Sequence, residues 1–228
     1  MKRLQILMLI LFATGSSTIT AQTIIGGRIG ANFGKAQING ISEIITPNID
    51  ALNGFAGGIY INRALDDKLA ITTGIHYKRK GFVAHESIGV ELFNVDLPFG
   101  ARAETRIHTV EVPILLNYTF NKGGAVLPYI EVGPAFSYAT GAEIQPIAQV
   151  IVEFNLPAIN LDLSKDKYNR FEVAAQGVAG IKIPYGNGEF DLGFSYTHAI
   201  TEMLNDPLLN IKMINRGIGI HAGFGMRI

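Results

Sequence analysis

Asp191, Ser195 and His198 lie within eight residues and are the parts of a hydrolase triad: nucleophile, general base and the carboxylate that orients it. Their spacing argues against that chemistry. In a strand, residues of equal parity share a face, so Asp191 and Ser195 project together while His198 projects the other way. The surrounding Gly193-Phe194-Ser195-Tyr196-Thr197 also lacks the second glycine of the G-x-S-x-G elbow. His76, His85, His108 and His221 show no H-x-x-x-H spacing for a metal. Asp162-Leu163-Ser164-Lys165-Asp166 begins as a calcium loop does, but Lys167 stands where the turn glycine belongs and Val173 occupies the bidentate twelfth position. Gly26-Gly27-Arg28-Ile29-Gly30 is followed by no helix pattern, so it reads as a strand with small inward residues and not as a dinucleotide fingerprint. These residues predict no catalytic site, no metal and no cofactor.

What is left is the pairing of buried charge. Glu111, Glu131, Glu172 and Asp191 fall on four consecutive strand-like segments with the parity of the less apolar face, and Arg28, Lys78, Arg170, Lys182 and Arg227 share that face. Enclosed charges must pair or cost several kcal/mol each. The expectation is a salt-bridge network that fills an interior and fixes strand register, with Glu111 and Glu131 at its centre. A proton or ligand site is the sharper alternative.

The elements that would position these charges follow from period and loop length. The chain has 228 residues, 48% hydrophobic and 17% charged, with 26 Gly, no Cys, no Trp and formal net charge +0. Zero cysteine excludes disulfides and thiolate sites. The neutral balance offers no footprint for nucleic acid. Met1-Lys2-Arg3, the apolar run Leu4 to Ala13 and the small-residue stretch ending at Ala21 predict a cleaved signal peptide over 1–21, with the mature domain at 22–228. Its loss leaves 17 basic and 19 acidic side chains, a net charge of −2.

In the rest of the chain hydropathy stays high, but with period two. Ile214, Ile218, Ile220, Ala222, Phe224, Met226 and Ile228 alternate with glycine or polar residues. Eight such segments are expected, at about 23–36, 54–63, 68–81, 105–120, 125–138, 169–183, 188–199 and 214–228. Long connections (37–53, 82–104, 139–168, 200–213) alternate with short ones (64–67, 121–124, 184–187). That sorting predicts up-and-down strands across a bilayer, with tight periplasmic turns and long extracellular loops. In hydrocarbon every backbone polar group must be paired, so the strands must close. The expected fold is all-β: an eight-stranded antiparallel transmembrane barrel facing outer-membrane lipid, its lumen filled by side chains. Tyr77, Tyr118, Tyr138 and Tyr196 share the apolar parity near strand ends and would form interface girdles. A soluble lipocalin-type ligand-binding barrel is the alternative; it would bury the greasy face.

The segments Thr109 to Phe120 (TVEVPILLNYTF), Pro128 to Tyr138 (PYIEVGPAFSY), Phe171 to Lys182 (FEVAAQGVAGIK) and Asn215 to Ile228 (NRGIGIHAGFGMRI) together resemble the PorT-like outer-membrane β-barrel family of Bacteroidetes. The resemblance spans residues 23–228, and Glu111-Val112-Pro113 followed by Glu131-Val132-Gly133-Pro134 is its most specific part. It implies an outer-membrane barrel of a Gram-negative cell and, from the eponymous member, a link to type IX secretion of proteases. His221, Gly223, Met226 and Ile228 are similar to the terminal signal read by the barrel assembly machinery, although Ile228 replaces the usual aromatic residue.

Two stretches within the long connections, Ile88 to Phe99 and Ile144 to Leu161, are more apolar than loops in water require. Either the strands continue beyond the membrane there, or loops 82–104 and 139–168 present a face to a protein partner. The sequence therefore predicts a non-enzymatic barrel with a structural or protein-interaction role, accessory to protein secretion. A membrane-embedded lipid-modifying enzyme is the alternative.

Overall fold

The computed structural model describes residues 22–39, 48–92, 95–120, 123–149, 153–161, 163, 169–202, 204–206 and 211–228. The expected signal peptide at 1–21 lies outside them. Eight long strands follow one another: β1 Thr23–Asn39, β2 Asn48–Ala64, β3 Leu69–Leu92, β4 Val95–Thr119, β5 Leu127–Gln149, β6 Phe171–Tyr185, β7 Gly188–Ala199 and β8 Ile211–Arg227. Three-residue strands at Glu153–Asn155 and Ile159–Leu161 pair with β5, and a third at Leu204–Asp206 pairs with β8. Each long strand is antiparallel to the next, and β1 pairs with β8 from Ile24↔Arg227 to Asn39↔Lys212, which closes the barrel. Closure leaves neither edge unpaired, as the apolar exterior demands.

The barrel is greasy outside and charged inside. Ile25, Ile29, Ile59, Ile75, Ile114, Val132, Phe194 and Ile220 are exposed, whereas Arg28, Glu111, Glu131, Glu172 and Asp191 are buried. This distribution overturns the soluble-barrel alternative, which needs the opposite. On β5 the exposed face runs from Ile130 to Tyr138, about 20 Å at ~3.3 Å per residue and a typical tilt, which suits a thin apolar band. Aromatic rings gather at both margins of that band. Tyr118 packs on Phe120, and Phe190 on Tyr185 and Phe224, at the end that carries the short turns. Tyr77 stacks on His108, Phe136 on Phe171 and Tyr196 on His198 at the other. The four tyrosines expected as a girdle thus divide between two belts, with Tyr118 alone at the turn end.

Strand number and order match the periodicity, but extent does not. Residues 82–104, expected as a loop, are mostly ladder: β3 and β4 stay paired through Ile88↔Phe99 to Leu92↔Val95. The partial alternation of Ile88 to Phe99 is therefore strand pattern continuing past the membrane band. β5 likewise runs on to Gln149, well beyond its expected end at 138.

Two bulges sit just outside the Tyr77 and Tyr138 belt. One lies between Ala51 and Ala56 opposite β3, the other opposite His108 and Thr109, where Thr140 is the extra residue and donates to His108 O at 3.1 Å. Bulges bend a strand and sharpen its twist. Beside the first, Gly81 holds φ 154°, and a Cβ there would lie 1.9 Å from Thr105 O. Gly81→Ala is therefore expected to lower barrel stability by about 1–3 kcal/mol, read as a drop in the urea midpoint of the protein folded in detergent. An unchanged midpoint would show that β3 can relax there. At the opposite end Gly186, φ 58°, opens the two-residue turn Gly186-Asn187 between β6 and β7.

Candidate functional site

Alternate residues of all eight strands meet in the lumen and build two ion-pair clusters. The first lies toward the turn end and centres on Arg28 of β1. Its Nε donates to Asp191 Oδ2 at 2.5 Å, while Nη1 and Nη2 donate to Glu131 Oε2 and Oε1 at 3.2 and 3.3 Å, a bidentate fork. Tyr129 donates its hydroxyl to Asp191 Oδ1 at 2.6 Å, and His221 Nε2 lies 3.5 Å from the same oxygen. Glu131 Oε1 also accepts from Thr72 Oγ1 at 2.9 Å and Asn117 Nδ2 at 3.0 Å, and Asn62 Nδ2 donates to that threonine at 2.8 Å. The Arg28 guanidinium lies 4.4 Å over the Tyr60 ring. Seven strands are tied through one arginine and two carboxylates. Leu115 and Val178 pack with Tyr129 in a small apolar cluster beside it.

The second cluster lies toward the long-hairpin end. Glu111 ion-pairs with Lys78 and, at 3.4 Å, with Lys80; Lys80 Nζ also reaches Glu172 Oε1 at 2.8 Å. Ser137 accepts from Lys80 at 3.0 Å and donates to Glu111 Oε2 at 3.0 Å. Glu111 Oε1 meets Lys78 as an ion pair without hydrogen-bond geometry. Between the clusters is a cavity of about 60 Å³ bordered by Arg28, His76, Lys78, Gln176, Ser195 and His221. It is too small for an acyl chain. His76 Nε2 and Gln176 Oε1 are buried there without hydrogen-bond partners among the described residues.

The expected charges thus meet as two groups, not as one network centred on Glu111 and Glu131. Arg28, Glu131 and Asp191 form one; Glu111, Lys78 and Glu172 belong to the other. Lys182 pairs at 3.2 Å with Glu189, near the turn end, and stands 5.4 Å over the Tyr129 ring. Arg170 joins neither cluster: its Nε donates to Leu163 O at 3.1 Å, at the point where the chain enters β6. Arg227 also joins neither, and its Nε is buried without a hydrogen-bond partner among the described residues. Both lie near strand ends, beyond reach of the central carboxylates.

Sequence reasoning missed Lys80, Tyr129, Glu189 and the role of His221. Parity held the signal: Lys80 is two residues from Lys78, Tyr129 two from Glu131, and Glu189 two from Asp191. The cross-strand register Gly193↔His221 is what brings His221 to Asp191, and no single-strand pattern contains it. His198 does project away from Asp191, stacked on Tyr196 at the outer surface. At the closing strand, Met226 and Ile228 face outward, and Gly223 sits opposite Arg28, where a Cβ would come within 2.8 Å of the Arg28 Cγ. That glycine makes room for the arginine. Among the described residues no three of His, Asp and Glu are placed to hold a metal.

Beyond the belt, Glu104 accepts from Arg102 and Arg106 at 2.8 Å each, and Arg106 reaches Glu143 at 3.4 Å. Partial burial disfavours the Glu104 carboxylate, but the two arginine hydrogen bonds outweigh it and hold the carboxyl below its ordinary value of 4.5. A depressed pKa means that the contribution to stability is complete above the ordinary carboxylate range and is lost as pH falls through the folded value. Amide protection of residues 102–106, corrected for intrinsic exchange rates, is expected to fall below about pH 4 and to lose that pH dependence in Glu104→Gln. Persistence of the dependence in the variant would place it elsewhere.

Residues 20–205 match the family described as "Outer membrane protein beta-barrel domain". No curated protein sequence matches the chain. Similar solved structures include OprG of Pseudomonas aeruginosa (13% identity, 91% of this chain and 96% of that one, TM-score 0.48) and Ail of Yersinia pestis, solved with the heparin analogue sucrose octasulfate (13%, 92% and 100%, 0.44). The outer membrane protease OmpT of Escherichia coli is also similar (9%, 93% and 99%, 0.39).

Proposed function

The chain belongs to the outer membrane protein beta-barrel domain family, and from that premise we propose that it is a non-enzymatic barrel with a structural or protein-interaction role, accessory to protein secretion as the PorT-like resemblance implies. The observation that carries this reading is the β3–β4 ribbon, paired as far as Leu92↔Val95 above a lumen occupied by ion pairs. A filled lumen gives solutes no wide passage. Ordered strand beyond the lipid band gives a partner a preformed surface. In this reading the signal peptide at 1–21 directs export, the barrel assembly machinery inserts the domain by its closing strand, and the hairpin end faces the cell exterior.

Crosslinked affinity isolation from native membranes tests it. Discrete partners should be recovered with the intact protein and lost when residues 88–99 or 144–163 are replaced by Gly/Ser. An identical set with and without those segments would sink the interaction role.

One observation favours a second reading, a membrane-embedded lipid-modifying enzyme: His221 is 3.5 Å from Asp191, and Ser195 borders the same cavity. A changed profile of lipid A or phospholipids in a deletion strain, restored by the wild-type gene but not by Ser195→Ala, would establish that reading over the first.

A further inference from the structure

At the turn end the lumen opens into a second cavity of about 320 Å³. Its border carries three cationic side chains, Lys68, Lys182 and Arg227, and among the residues bordering it Glu189 is the only carboxylate. Lys182 and Glu189 are almost fully buried and paired at 3.2 Å, though Glu189 Oε1 meets Lys182 without hydrogen-bond geometry. Arg227 Nε is buried and donates to nothing among the described residues. A buried donor without an acceptor is unfavourable, and an excess of cations in an enclosed space makes it more so.

We propose that this vestibule is a binding site for a small soluble oxyanion, a phosphate or carboxylate group, held by Arg227 and Lys182 with Lys68 at its mouth. Arg227 supplies a planar donor edge suited to two oxygens, whereas the lysines act as point charges. The deeper wall is polar as well: Asn117 and Thr119 border the space. Its volume exceeds what the anion alone needs and leaves room for the rest of a small solute. Entry is from the aqueous end of the barrel, between Lys68 and Pro184, both exposed, so the ligand is a solute and not a bilayer lipid. The site is independent of any partner bound at the opposite rim.

The test is thermal unfolding of the full-length protein in detergent, titrated with inorganic phosphate or acetate against chloride at matched ionic strength. One oxyanion at least should raise the Tm in a saturable way, as ligand bound to the native state requires. Arg227→Gln should weaken the response at least tenfold. Glu189→Gln should strengthen it, because the competing carboxylate is gone and Lys182 is freed. Opposite signs from two neighbouring substitutions are not expected of a merely structural role. The proposal is overturned by a Tm indifferent to both anions, or by equal responses in wild type and Arg227→Gln. If Arg227→Gln does not fold, Arg227→Lys, with its charge kept and its fork removed, serves in its place beside Glu189→Gln.

Discussion

Arg28→Gln is expected to destabilise the barrel by about 3–5 kcal/mol, the usual cost of breaking a buried ion pair from one side. The guanidinium is shared by Glu131 and Asp191, so its loss leaves two carboxylates enclosed without the permanent positive charge that pairs them, although His221 still lies 3.5 Å from Asp191. Both keep other donors, Thr72 and Asn117 to Glu131 and Tyr129 to Asp191, but none of these is a full positive charge. The measurement is the urea midpoint in detergent, with heat-modifiable gel migration as the check that a barrel forms. Adding Glu131→Gln and Asp191→Asn to Arg28→Gln should recover part of the loss, because neutral groups are cheaper to enclose than unpaired carboxylates. A single variant as stable as wild type would mean that water reaches this cluster and screens it.

Glu111→Gln is the counterpart at the other end of the lumen, with an expected loss of about 3 kcal/mol. Glu111 is fully buried and, among the described residues, is the only carboxylate paired with Lys78; Lys80 retains Glu172. Pairing the change with Lys78→Met should therefore restore stability more than pairing it with Lys80→Met. The two clusters share no residue, so the losses from Arg28→Gln and Glu111→Gln should add to within about 0.5 kcal/mol. Strong non-additivity would join them into the single network that parity suggested. If Glu111→Gln and Glu131→Gln both left folding yield and melting unchanged, ion pairing would not be what fixes register here.

These contrasts show how far the one-dimensional pattern reaches. Strand number, order and the direction each side chain takes follow from a period of two and from the alternation of connection lengths, because one face must meet lipid while the other fills a narrow space. Arg28, Glu131 and Asp191 could be assigned to the interior on that basis alone. Which carboxylate Arg28 takes could not, since it depends on the stagger between strands that are far apart in the chain. The register Arg28↔Gly223 and Gly223↔Asp191 carries the arginine across a glycine to a strand it does not touch by backbone. The extent of β3, β4 and β5 was also hidden. Apolar residues at 88–99 and 144–161 satisfy both an extended ladder and a sticky loop, and only pairing tells them apart. Arg170 and Arg227 have the right parity but stand too near strand ends, where height along the barrel axis matters more than facing.

The continuous ladder of β3 and β4 bears on more than shape. A flexible loop that becomes ordered against a partner surrenders about 1–2 kcal/mol of backbone entropy for each residue it fixes. The ribbon from Phe82↔Thr105 to Leu92↔Val95 has met that cost during folding, through hydrogen bonds to its own neighbour. Contacts made there would not have to meet that backbone cost a second time, so the same footprint would hold a partner longer on this ribbon than on an unpaired loop.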